Sequence, residues 1–342
     1  MRRRALLLTA VVLLGGCARF DDRLADEFTP APEPGAMGDA PAPPSDGPRP
    51  FSAPSSTPGA PPPPSGPCVD PDPAVVATCL EPTRAVASVG KDAVVVEPGG
   101  RALVVAPEAE PVEFGRVDAR GGSVTAVAAS PDFEQDHLVY ALVVGGGPSR
   151  VERLARGDVS RTVAELEPAS GGGLAFDGPV LTVALGSSLV RFPDFRGIGR
   201  AGVPQVVASD LGDVRGLCLA DGATYVTALT PRGAVVRSAR SVVWTWPDQR
   251  EVGGCVATAE ALGVALPAAA RADVLPLAGG GPGGEPQPVG EKTYGRLTGL
   301  GVVADGLMLA TTTNKDGGSP VPTDDRAVLL PLQASGGADS KV

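Results

Sequence analysis

Apolar residues fall into short runs from about residue 80 onward, rich in Val, Leu, Ala and Thr and separated by turns that carry Asp or Gly. No stretch sustains a 3.6-residue period between capping residues, so strands are predicted to dominate and helices to be rare. A unit recurs. It opens with a strand of glycine and small residues, turns, and continues into a second strand, a third of alternating character and often a fourth. Ala126–Asp132 leads into Leu138–Leu142, and Gly173–Gly178 into Val180–Ala184. Gly216–Gly222 leads into Thr224–Thr227, Gly254–Ala257 into Leu262–Ala265, and Gly299–Gly306 into Leu307–Ala310. A weaker copy spans Ala85–Val96. Unit starts near 85, 124, 171, 214, 253 and 298 lie about 39 to 47 residues apart, the period of a four-stranded propeller blade. The predicted fold is therefore all-β, a six-bladed β-propeller over 76–335, with 336–342 a disordered tail. The rival is a β-sandwich or two small β domains. Blades packed face to face bury both sides of each strand, which explains apolar runs in place of strict alternation. Which segment closes the last blade is left open; the strand around Leu80 to Val86 is one candidate.

The first 75 residues follow a different pattern. Met1-Arg2-Arg3-Arg4 is basic and Ala5–Leu14 is apolar, too short to span a hydrocarbon core of about 30 Å. Leu14-Gly15-Gly16-Cys17 then resembles the bacterial lipobox. It implies a signal peptide over 1–16 and acylation of Cys17, with extracytoplasmic anchoring on the outer face of the plasma membrane. More than one acyl chain makes such anchoring stable. Residues 17–75 form a Pro-rich linker holding seventeen of the 37 prolines between Pro30 and Pro73. Such a segment cannot bury enough apolar surface to fold and reads as a semi-rigid stalk.

Composition narrows the functions. A net charge of −10 argues against a nucleic-acid partner. The single histidine, His137, excludes His-rich metal sites and any mechanism needing two histidines; in the turn Glu134–His137 it reads as a surface residue. Once Cys17 is acylated, Cys68, Cys79, Cys218 and Cys255 remain, and an exported chain favours disulfides. Three connectivities exist. Cys68 and Cys79 bracket a short loop, and Cys218 and Cys255 occupy corresponding places in successive units, so these two pairings are preferred. No C-x-x-C spacing suggests a metal. Trp244 and Trp246 share one face of a strand, either as blade packing or as a ring platform for a ligand. Asn314, Lys315 and Asp316 form the candidate functional loop, against the reading of a plain turn. Asp324-Asp325 reads as a charged turn, and the glycine runs 145–147, 171–173 and 279–281 as loops. There is no Gly-x-Ser-x-Gly elbow and no phosphate loop.

Ser130-Pro131-Asp132-Phe133 with Asp136 and Val139-Tyr140, the strand Arg150–Leu154, and Ser170–Phe176 resemble segments of the glucose/sorbosone dehydrogenase family. That family implies a six-bladed propeller holding pyrroloquinoline quinone (PQQ) and calcium. Its catalytic histidine falls here at Ala169 or Ser170, and the arginine of the same motif at Gly173 or Leu174. Alanine accepts no proton and an unassisted serine is too weak a base; the segment Ala184–Ser188 lacks the expected carboxylate, and calcium wants several hard oxygens. Gly16–Phe20 with Asp22, the Pro-rich linker, Cys79-Leu80-Glu81, Val243–Asp248, Gly254-Cys255 and Asn314-Lys315 are similar to the mycobacterial lipoprotein Z family, which implies an exported propeller lipoprotein without a defined activity. The expectation is a monomeric, non-catalytic binding module on the sugar dehydrogenase scaffold, with no catalytic residue, metal or cofactor, and with an envelope protein or small molecule as partner. The alternatives are a PQQ- and calcium-dependent sugar dehydrogenase with a displaced site and a structural cell-wall spacer.

Overall fold

The computed structural model describes residues 68–193, 195, 202–304 and 306–333. Six antiparallel sheets follow one another along the chain. Their inner strands are Ala85–Val89, Ser123–Ala129, Gly172–Asp177, Asp213–Ala220, Cys255–Ala257 and Leu297–Ala304, here blades I to VI. Each inner strand packs against those of its neighbours, and that of blade VI packs against that of blade I, so the ring closes. The six-bladed propeller is as the repeat predicts, with unit starts matching inner strands. Helix is confined to Phe133–Asp136 and one 3-10 turn at Pro267–Ala269 among the described residues. No described helix is long and apolar enough to cross a membrane.

The core is divided into six wedges, one at each blade interface. In the strand Asp92–Val96, Val94 and Val96 enter the cluster shared with blade II, while Ala93 and Val95 enter the cluster shared with blade VI. All four are essentially inaccessible. A strand that serves two cores must be apolar on both faces, which is why alternation fails in this sequence.

Blade VI is completed by the N-terminal strand Val75–Ala77, which pairs with Ala327–Pro331. The segment around Leu80 to Val86 does not close it; Ala85–Val89 is the inner strand of blade I. The folded unit thus reaches back to Cys68, ahead of the expected boundary at 76. Three residues of strand are a short closure, and side chains reinforce it. Cys68 and Cys79 are bonded across it, with Cα atoms 5.6 Å apart. The Arg326 guanidinium reaches Asp70 at 3.0 Å and Asp324 at 2.8 Å, and lies 6.0 Å over the Tyr294 ring. The Tyr294 hydroxyl donates to Asp72 at 2.8 Å. The main chains of Leu80 and Asp325 exchange hydrogen bonds.

Asp324 and Asp325 are buried rather than a charged surface turn. Asp324 accepts from Arg326 and from the Val321 N–H, and Asp325 accepts from the Thr312 hydroxyl and the Asn314 and Lys315 N–H groups. Burial holds the Asp325 carboxyl above its usual range despite these donors.

The closure is open to two tests. Replacing Cys79 by Ser removes a loop constraint, and the denaturant midpoint should fall by the equivalent of about 2–3 kcal/mol; an unchanged midpoint would show that the disulfide contributes nothing to closure. The Tyr294 phenol is pushed up to about 12 by burial and by its bond to Asp72. Because the folded state holds this proton more tightly, its contribution is complete below pH 10 and lost as pH rises through 12. Tyr294→Phe should shrink the alkaline loss of stability over that window, as read by thermal midpoints at successive pH values.

Candidate functional site

The inner strands begin at one face of the ring and end at the other. Glycine stands where neighbouring inner strands come closest. A Cβ on Gly173 would lie 2.7 Å from the Leu217 Cβ, one on Gly216 2.8 Å from the Gly254 Cα, and one on Gly299 2.5 Å from the Arg84 oxygen. Backbones in that proximity admit no side chain. Gly172 and Gly173 are accordingly strand residues rather than loop, a correction to the reading of the run 171–173; Gly145–Gly147 and Gly279–Gly280 do lie in turns. The crowding narrows the axial channel to a throat of about 40 Å³, lined by Gly172, Gly216 and Gly254 among others.

The throat joins two funnels. The one where inner strands end holds about 490 Å³ and is lined by Val86, Val127, Leu174, Leu217, Val256 and Leu300 with other small and apolar groups. Cys218 and Cys255 are bonded in its wall, Cα atoms 5.6 Å apart, stapling the inner strands of blades IV and V. The funnel where inner strands begin holds about 520 Å³ and carries polar and charged side chains among its lining. Arg84, Thr125, Ala169, Ser170, Arg215 and Asp316 are among its lining residues. Arg84 and Arg215 also reach the throat. Arg215 is ion-paired with Asp213, and Ser170 Oγ lies 3.5 Å from the other Asp213 oxygen. This pair is partly exposed, 24% and 42% by side chain, so it contributes little to stability. Gly171 adjoins Arg215: a Cβ there would lie 3.1 Å from the Val214 oxygen and in ordinary contact with Nη1 at 3.4 Å.

The residues singled out from sequence are not all at this mouth. Ala169 and Ser170 line it, as the dehydrogenase resemblance implies for the position of its base. His137 is exposed in the turn after Phe133–Asp136, at the opposite end of the inner strand of blade II. Of the candidate loop, only Asp316 lines the mouth. Asn314 is buried, accepting from the Arg296 N–H at 2.7 Å and donating to the Tyr294 carbonyl at 2.7 Å, and Lys315 Nζ donates to the Leu80 carbonyl at 2.6 Å. Both brace the closure of blade VI; Asn314 is buried there, while Lys315 stays exposed. Trp246 is likewise no platform. It is buried between blades IV and V, and its indole N–H donates to Asp273 at 2.7 Å. Trp244 packs half-buried against the same cluster. Ser130, of the Ser-Pro-Asp-Phe segment, donates to Asp136 at 2.6 Å and holds the short helix. Cys17 lies outside the described residues.

Arg84, Thr125 and Arg215 were not singled out from sequence. The signal was present in the repeat: Thr83-Arg84-Ala85, Val124-Thr125-Ala126 and Val214-Arg215-Gly216 open the first, second and fourth units. Strand starts share one face of a propeller, so these side chains converge.

The set at the mouth does not fit the calcium and quinone chemistry that the resemblance implies. The resemblance puts the base at Ala169 or Ser170 and the motif arginine at Gly173 or Leu174, none of which supplies that group. Among the described residues no three Asp, Glu, His or Cys side chains gather as a metal site.

No family model matches the chain, and no curated protein matches it. Solved structures do. The PQQ-bound form of the aldose sugar dehydrogenase from Streptomyces coelicolor is 22% identical with a TM-score of 0.64, over 75% of this chain and 96% of that one. A putative glucose dehydrogenase from Thermus thermophilus is 24% identical with a TM-score of 0.62, over 75% and 98%. A nidogen/laminin complex contributes a chain 13% identical with a TM-score of 0.51, over 68% and 86%. At these identities the likeness is one of fold.

Proposed function

We propose that the chain is an envelope lipoprotein whose propeller, built like the sugar dehydrogenases, works as a non-catalytic binding module. The observation that carries this reading is the polar mouth. It stands where the sugar dehydrogenase resemblance puts the catalytic base, and Ala169 and Ser170 occupy that position. Losing a general base costs on the order of a hundred- to ten-thousand-fold in rate. The mouth is still a formed cavity of about 520 Å³, within the usual range for small-molecule sites. The nidogen/laminin likeness shows the same architecture in a protein complex, and function belongs to the site rather than to the fold. In this reading the lipid on Cys17 anchors a monomer to the outer face of the plasma membrane, the Pro-rich segment is its stalk, and nucleic acid is no partner.

Two measurements test it. The intact chain, purified in detergent, is titrated with PQQ and calcium and assayed for dye-coupled oxidation of a panel of aldoses. No saturable turnover is expected; turnover that saturates in PQQ would sink the binding-module reading in favour of a sugar dehydrogenase with a displaced site. Replacing Cys17 by Ser should move the protein from the membrane fraction to the soluble or secreted fraction. Unchanged fractionation would remove the lipid anchor from the proposal.

A further inference from the structure

The mouth holds more hydrogen-bond donors than its own residues use. Arg84 has no ion-pair partner among the described residues. Arg215 gives one Nη to Asp213, while its Nε is buried without a hydrogen-bond partner. Thr313 lines the same cavity, is 2% exposed, and its hydroxyl has no partner. The Thr125 hydroxyl, in the wall between mouth and throat, has none either. Buried polar groups in native proteins are nearly always paired, so three such atoms in one wall call for an explanation.

A guanidinium presents a planar fork of donors that matches carboxylate and phosphate oxygens. A threonine hydroxyl adds a donor by rotating about one bond. At the rim, Ser170, Asp213 and Asp316 offer acceptors, which suit hydroxyl groups on the rest of a ligand. We infer that this mouth binds a small hydroxylated molecule through a carboxylate or phosphate group held between Arg84 and Arg215. The inference rests on the reading of the propeller as a binding module and specifies the chemistry of its ligand.

The test is calorimetric titration of the intact chain with three probes: glucuronate, its uncharged isostere glucuronamide, and glucose 6-phosphate. Saturable binding of at least one anion is expected, with glucuronamide at least tenfold weaker than glucuronate where glucuronate binds. Which anion binds more tightly separates a carboxylate ligand from a phosphate one. Arg84→Gln and Arg215→Gln should each weaken binding at least tenfold, and Arg84→Lys should retain part of it. Thr313→Val should weaken binding several-fold without lowering the thermal midpoint of the free protein, since it removes a hydroxyl that the free protein leaves unpaired. Arg215 packs beside Gly171, so Arg84→Gln at an unchanged thermal midpoint is the deciding variant. The inference falls if neither anion saturates, if glucuronamide binds as tightly as glucuronate where glucuronate binds, or if Arg84→Gln binds as tightly as the parent. Failure there without PQQ-dependent turnover removes the oxyanion and leaves the binding module; turnover removes both.

Discussion

Ring closure is the constraint on which the rest depends. Five blades are each woven from consecutive chain, but the sixth needs a strand from the opposite end of the fold. Asp70 and Arg326 meet although 256 residues separate them. The entropy of joining such distant points grows only slowly with loop length, but contacts at the junction must still offset it. A three-residue strand offers few ladder bonds. The junction adds what the ladder lacks: a disulfide, buried carboxylates with several donors each, and a lysine amine on the Leu80 carbonyl. A buried ion pair is weak support when half satisfied, because desolvation outweighs attraction. Here Asp70, Asp72, Asp324 and Asp325 each accept at least two hydrogen bonds, so the network specifies one register for a strand that is too short to specify its own.

Closure at the rim transmits to the axis. Once six blades must fit a ring, their inner strands are pressed together, and the size of the residue at each approach decides how far. Glycine at 173, 216, 254 and 299 lets backbone meet backbone and leaves almost no bore. The channel becomes two separate funnels rather than a pore. One is walled by the apolar side chains near the ends of the inner strands. The other carries Arg84, Ser170 and Arg215, at or just before the starts of inner strands. The mouth and the glycine repeat thus have one physical origin.

How much of this the sequence displays varies with the reach of the interaction. Blade number and inner strands are legible because each unit repeats a local pattern, and Cys218 and Cys255 are legible because they occupy equivalent places in adjacent units. Closure is not: nothing local distinguishes Val75–Ala77 from linker, since only its pairing with Ala327–Pro331 gives it a role. The same limit applies to Asn314 and Lys315. Asn-Lys-Asp-Gly reads as a turn or an exposed loop, and only Arg296, Tyr294 and Leu80, brought in from elsewhere in the chain, reveal a fastener. Trp246 is ambiguous in sequence for a related reason. A tryptophan on a strand serves equally as core or platform until a partner such as Asp273, on the next blade, consumes its N–H.

Under the proposed reading, the absence of a base at the mouth need not mean the absence of a binding site. A catalytic constellation requires groups whose protonation suits the reaction, and one substitution can end it. A binding constellation requires only shape and donors, and both arise here from the scaffold. The arginines are seated at strand starts, whose direction is set by blade packing. In the proposed reading, a residue change at Ala169 or Ser170 leaves Arg84 and Arg215 undisturbed, because different blades of the ring hold them. A fold that divides its site among separate blades can change what it does at one blade while the others keep the cavity in place.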